Sequence, residues 1–284
     1  MLNALTIDVE DYFHVSAFEH VVPVDRWDSF ESRVGRNTER LLELLDASGV
    51  RATFFVLGWV AEREPALIRA IAAAGHEVAS HGHAHRLIYE QDRRTFRDDL
   101  RRARDVIETA SGSRILGYRA PSFSITPRSL WALDVLAEEG YAYDASVFPV
   151  HHDRYGLPGA PRHPYRLEGQ PMAEAPGSTV SFGPITVPVA GGGYFRLFPY
   201  RVTRWAIRRL NRREGQPAVV YLHPWEIDPE QPRIAAGLVS RFRHYQSLSR
   251  TEPRLRRLLR DFSFAPLADV LRARGLLSGA GVAA

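Results

Sequence analysis

The sequence predicts an α/β fold in which parallel strands and helices alternate to form a barrel. Three observations predict it. Short apolar, β-branched or aromatic runs alternate with longer helical patterns over most of the chain, which implies parallel pairing through right-handed crossovers. The number of such βα units makes a barrel the natural closure. Polar residues sit where the apolar runs end, the position at which α/β barrels build their sites: Asp8 after LTI, His81 after EVAS, Arg119 after ILGY, Asp144 after YAY and His223 after VVYL.

In chain order, Leu5–Ile7 reads as a strand. Arg40–Leu45 lies in a helix that starts near Asn37 and stops at Gly49. Ala52–Val56 is a strand, Pro65–Ala74 a helix ended by Gly75, and Glu77–Ala79 a short strand. Phe96–Thr109 is an amphipathic helix with Leu100, Ala103 and Ile107 on one side. Ile115–Tyr118 is a strand. Pro127–Glu139 is a helix opened by proline and ended at Gly140, and a strand starts at Ala142–Tyr143. The Pro- and Gly-rich stretch from His151 to Pro199 breaks the rhythm and reads as an insertion over one face. Within it, Val180–Phe182 and Ile185–Val189 flank Gly183-Pro184 as a hairpin. Ala218–Leu222 is a later strand. The expected organisation is a barrel over 1–228 with an insertion at about 151–199, then a helical extension over 229–284 packed on the barrel. The closing SGAGVAA reads as a frayed tail.

Composition narrows the chemistry. The chain has 284 residues, 45% of them apolar, enough for a sizeable core. Its 37 basic residues are all arginine, and cysteine is absent. These zeros exclude a Schiff-base or P-loop lysine, a cysteine nucleophile, a zinc finger, an iron–sulfur cluster and a disulfide. The formal net charge of +4 is mild and does not call for nucleic acid or an anionic membrane as partner. No apolar run approaches the roughly 20 residues of a membrane span. The opening MLNALTIDVEDYF has no basic leader and no apolar core, so the expected location is the cytoplasm.

Two clusters suggest a metal. In His81-Gly82-His83-Ala84-His85, the first and last histidines are four apart, a spacing that on a helical turn points both imidazoles the same way. His83 would point elsewhere. A polar loop that happens to hold three histidines would read the same. In Asp8-Val9-Glu10-Asp11, three carboxylates in four positions repel one another unless a cation or a shared proton intervenes. A helix N-terminus enriched in acids is the plainer reading. One carboxylate and two histidines with open positions is the arrangement of catalytic divalent ions.

The ordered set TIDVED, SHGHAH, YRAPSFS, YDASVFP and LHPWEID resembles the five motifs of the NodB-homology polysaccharide deacetylases (carbohydrate esterase family 4), over about residues 4–228. DVEDYFHVSAF, HHDRYGLPG, GGGYFRLFPY and the helical tail look more specifically like the deacetylases of exosortase-associated exopolysaccharide loci. The resemblance implies a distorted (β/α) barrel holding one divalent metal, usually Zn2+, and removal of N-acetyl groups from an N-acetylated glycan. By motif position, Asp8 matches the catalytic base, His81 and His85 the metal pair, and Arg119 the arginine that orients the base. Ser122 matches the residue whose backbone N–H helps hold the oxyanion. Asp144 matches the carboxylate partnered with the catalytic histidine, and His223 that histidine, the general acid. The first motif departs from the family's Asp-Asp and Asp-X-Asp forms. Asp11, of the family's residue type, is the favoured metal carboxylate, and Glu10, favoured by strict spacing, the alternate. Trp225, Tyr155, Phe123, Tyr194 and Phe195 are aromatic candidates for stacking on sugar rings. Two other readings remain: a small-molecule amidase of the allantoinase-like branch, and a glycan-binding protein with a decayed site.

Overall fold

A computed structural model describes residues 1–278 other than residues 153, 184 and 190. The predicted frayed tail, from residue 279 on, and residue 184 of the predicted hairpin turn lie outside the described residues.

The elements run β1 (Leu2–Val9), α1 (Val34–Asp46), β2 (Thr53–Val56), α2 (Gly58–Arg63), α3 (Pro65–Ala73), β3 (Glu77–Ser80), α4 (Arg93–Ser111), β4 (Gly117–Tyr118), α5 (Trp131–Glu138) and β5 (Tyr143–Asp144). There follow β6 (Tyr165–Arg166), β7 (Ala173–Glu174), β8 (Thr179–Phe182), β9 (Ile185–Pro188), α6 (Gly192–Leu197), α7 (Tyr200–Arg213) and β10 (Val219–Leu222). The chain closes with α8 (Leu238–Tyr245), α9 (Thr251–Asp261), β11 (Ser263–Ala265) and α10 (Leu267–Ala273).

The main sheet has the order β10-β1-β2-β3-β4-β5-β7-β6, with β11 also on β1. Its pairings are parallel except β6 with β7. The sheet curls without closing, so the α/β barrel is a half-barrel. Strand periodicity sorts side chains between two layers. Leu5, Ile7 and Val9 of β1 join the larger core under the helices, whereas Ala4 joins Phe55, Ala79, Tyr143 and Val219 inside the curl. Asp8 shares the parity of Ala4 and so belongs to the inner face.

Helix α4 shows how the pattern becomes a fold. Asp92 caps it, accepting the Thr95 N–H at 2.7 Å, and Gly112 ends it in a left-handed conformation. Phe96, Leu100, Ala103 and Ile107 are buried as the periodicity predicts.

Several expectations are revised. Helix α1 begins at Val34 rather than near Asn37, because a carboxylate distant in sequence caps it (below). Helix α5 begins at Trp131 rather than Pro127, because Ser129 Oγ bonds Ser124 O and the Thr126 N–H and holds a turn there. The hairpin β8–β9 forms, with Val180 opposite Val187. The insertion does more than cover a face: β7 extends the main sheet beside β5. The stretch after residue 228 is likewise more than helical, since β11 pairs with Leu2–Ala4. Among the described residues no helix is long and apolar enough to cross a membrane.

Candidate active site

The C-terminal ends of β1, β3, β4 and β10 converge on a cavity of about 700 Å3, lined among others by Asp8, Glu10, His81, His85 and His223. Asp8 accepts a hydrogen bond from Arg119 Nη1 at 2.6 Å. The same Nη1 donates to Thr6 Oγ1 at 2.7 Å, and Arg119 Nε donates to the Ala145 carbonyl at 3.2 Å. The guanidinium lies 4.2 Å from the Phe55 ring centre and is fully enclosed. Arg119 arrives there because the sheet ladder continues past β4, its N–H donating to Ser80 O at 2.9 Å.

Glu10, His81 and His85 are all buried, and one ligand atom from each lies within 4.8 Å of the others. His81 Nδ1 donates to the Arg119 carbonyl at 2.8 Å, which leaves Nε2 free to ligate. Burial pulls the His81 imidazole down to about 4, so it is neutral, the ligating form. Glu10 Oε2 is 2.8 Å from His85 Nε2 but not aligned for a hydrogen bond, so this buried oxygen lacks a hydrogen-bond partner. Burial opposes the Glu10 charge, but His85 and His223 outweigh it and hold the carboxyl well below its usual range. An ionised carboxylate with an orphaned oxygen beside two imidazoles fits a divalent cation.

The favoured metal carboxylate, Asp11, stands elsewhere. Its Oδ1 accepts the Tyr12 N–H at 2.9 Å, and its Oδ2 accepts those of Arg33 at 2.6 Å and Val34 at 2.9 Å. It caps α1, satisfying N–H groups that a helix start leaves unpaired. Burial nevertheless raises its carboxyl to about 6. The physical reason is parity. Glu10 lies two residues after Asp8 and continues the inner face, whereas Asp11 falls on the other side.

The histidines do not lie on a helical turn. Residues 81–87 form a loop after β3, with Gly82 at φ +74° and His85 at φ +51°. A Cβ on Gly82 would sit 2.9 Å from Asp99 Oδ2, the oxygen that accepts the His83 N–H at 2.9 Å. His83 itself turns away, its Nε2 3.1 Å from Glu62 on α2.

His223 Nε2 approaches Glu10 Oε1 at 3.4 Å and Asp8 Oδ2 at 3.9 Å. Burial disfavours its charge, but Glu10, Glu226 and Asp8 prevail and push the imidazole up to about 9. Its other nitrogen, Nδ1, is 2.6 Å from Glu226 Oε1. The expected partner, Asp144, is engaged instead with Ser146, accepting from Oγ at 2.5 Å and N–H at 3.2 Å, and with Glu174, its neighbour across the β5–β7 register. Burial raises both carboxyls, and the adjacent Asp144 charge lifts Glu174 further, well above the ordinary range.

Ser122 lines the cavity at φ +51°, its Oγ 2.8 Å from Ser16 Oγ. Trp225 also lines it, yet is buried and stacked against both His223 and His244. Its Nε1 donates to Glu10 Oε1 at 3.2 Å, so it positions Glu10 rather than presenting a sugar platform. Tyr155 and Tyr194 reach the cavity with their hydroxyls 2.9 Å apart, and Phe123 lines it beside them. Phe195 is wholly buried and absent from the lining. Sequence reading missed Glu226, although it follows His223 by three residues. It also missed the buried Arg196, which pairs with Glu226 at 2.6 Å and which nothing in its local sequence marks.

Residues 27–143 match the family "Polysaccharide deacetylase", and residues 145–272 match "Domain of unknown function (DUF3473)". The chain is 32% identical over 120 residues to a peptidoglycan deacetylase-like protein of Gibberella zeae, covering 42% of this chain and 34% of that one. It is 32% identical over 126 residues to a chitooligosaccharide deacetylase of Bradyrhizobium sp., covering 44% and 55%. It thus spans between a third and just over half of the length of these relatives. A solved structure of a candidate polysaccharide deacetylase from Mycobacterium smegmatis superposes with a TM-score of 0.62 at 24% identity, covering 99% of this chain and 93% of that one, which establishes the fold. Residues 27–143 are thus similar to the polysaccharide deacetylases, and residues 145–272 to a family of no known function.

Proposed function

We infer that this protein is a metal-dependent polysaccharide deacetylase that releases acetate from an N-acetylated glycan, with an exopolysaccharide as the natural substrate. One observation carries the reading: Glu10, His81 and His85 gather within 4.8 Å of one another, in the cavity that Asp8 and His223 also line. These three residues would hold one divalent cation, Zn2+ by family resemblance. When bound, such an ion supplies Lewis-acid polarisation of the acetamide carbonyl.

The chain's own residues do the rest. Asp8, fixed by Arg119, takes a proton from the attacking water. A backbone N–H of the turn at Ser122 faces the developing oxyanion. His223 presents Nε2 to the leaving nitrogen and donates its proton, so that acetate and a free amino sugar result. Tyr194 and Tyr155 line the place for the sugar, Tyr155 through its hydroxyl edge because its ring is stacked on His152 and Phe148.

The test is acetate release from chitooligosaccharides and from N-acetylated exopolysaccharide, with and without a chelator. Chelator-sensitive release supports the reading. Ammonia from ureides in place of acetate would move the protein to the allantoinase-like branch. Absence of both activities together with absence of tight divalent binding would leave the glycan-binding reading.

A further inference from the structure

We propose that Glu226, held by Arg196, is the positioning residue that fixes the tautomer and direction of His223, and that the C-terminal half of the chain exists to build this side of the pocket. The inference rests on the role of His223 proposed above.

The geometry is closed on every side. Glu226 is fully buried. Its Oε1 accepts both the His223 backbone N–H at 3.1 Å and His223 Nδ1 at 2.6 Å. Its Oε2 accepts Arg196 Nε at 2.6 Å. A carboxylate gripped by a guanidinium only accepts, so Nδ1 carries the hydrogen and Nε2 is turned to the cavity.

Arg196 is itself enclosed, and both its Nη atoms donate to main chain. Nη1 donates to the carbonyls of His244 at 2.6 Å and Gln246 at 2.9 Å, and Nη2 to that of Arg243 at 3.1 Å. From α9, Arg254 Nη1 donates to the carbonyls of Phe195 and Arg196 at 2.7 Å each. A planar fork can serve a carboxylate and three carbonyls at once, which an ammonium on a single stem cannot. Segments 195–196, 223–226, 243–246 and 254 all meet at this arginine, and all fall within the match to the domain of unknown function. The last turn of α8 is therefore tied through two side chains to His223, while the family's expected partner, Asp144, is occupied by Ser146 and Glu174.

The test combines kinetics with a spectroscopic signature of the imidazole. In 15N-labelled protein, a proton in so short an Nδ1–H···O bond resonates far downfield. It should be present in the wild type and in Asp144→Asn, and absent in Glu226→Gln. Glu226→Gln should lower kcat about 100-fold or more with KM within about threefold. Glu226→Asp, which keeps the charge but withdraws it by one methylene, should recover part of kcat and show a weakened, upfield-shifted resonance. This second variant decides the matter if the glutamine variant does not fold. A wild-type kcat in Glu226→Gln, an unchanged resonance in the folded Glu226 variants, or loss of the resonance in Asp144→Asn would each overturn the proposal. If the wild type released no acetate, the proposed function would fall, while the resonance would still decide whether Glu226 orients His223.

Discussion

Arg119 and Asp8 stand 111 residues apart in the chain and meet at 2.6 Å inside the curled sheet. Both are almost wholly buried, so the pair depends on its mutual contact and its hydrogen bonds. Removing one partner strands the other. Arg119→Leu should cost about 3–5 kcal/mol of stability, and Asp8→Leu in the same molecule should restore much of it without restoring activity. Urea denaturation of the single and double variants checks this. Asp8→Asn keeps the shape but leaves the Arg119 charge unpaired, so it should lose stability and, in the folded protein, about 10²–10⁴ in kcat.

The two neighbouring acids should separate by experiment. Glu10→Ala should lose bound divalent metal after dialysis, because it removes the carboxylate gathered with His81 and His85. Asp11→Ala should keep its metal but lose about 1–3 kcal/mol in urea, because three backbone N–H groups lose their acceptor. Metal loss in the second variant with retention in the first would reverse the assignment.

Trp225 offers a subtler probe. Trp225→Phe keeps the stacking on His223 and His244 but deletes the donor to Glu10. Partners that orient a metal ligand typically contribute 10–100-fold in affinity. A competition titration should therefore show metal binding weakened by roughly that factor, with little change in thermal stability.

Glu174 predicts a pH dependence of stability. Its carboxyl is raised in the folded protein by burial and by Asp144, so the folded state holds its proton more tightly than the unfolded chain. The resulting stability is fully present below the ordinary glutamate range and is lost as pH rises through the raised value, by up to about 1.4 kcal/mol per pH unit in between. Glu174→Gln, which keeps a donor toward Asp144 and cannot ionise, should flatten this slope. Denaturation midpoints at acid, neutral and alkaline pH compare the two. A parallel decline in both proteins would contradict the assignment.

How legible the site was depended on the kind of information each residue required. Strand ends are local: an apolar run followed by a polar residue marks Asp8, His81, Arg119, Asp144 and His223, and all but Asp144 converge on one cavity or, for Arg119, on a residue that lines it. The histidine pair was legible as a pair, although its local conformation is a loop with positive φ rather than a helical turn. Asp11 has the family's residue type but not the parity of the inner face, and the α1 N–H groups it accepts lie more than twenty residues away. Glu226 was within reach, since a short turn after β10 brings residues three apart together. Arg196 was not, because its carboxylate and its three carbonyls come from separate segments.

The sequence by itself determined the α/β alternation, the absence of cysteine and lysine chemistry, and the set of polar residues at strand ends. These follow from periodicity and composition, which act over a few residues. Only the tertiary structure decided which carboxylate gathers with the imidazoles, which one meets His223, and that the stretch after residue 228 adds a strand to the main sheet and a wall to the pocket. Those outcomes depend on which face a side chain inherits from its strand and on which distant segments pack against it. Both are properties of the assembled sheet rather than of any stretch of chain.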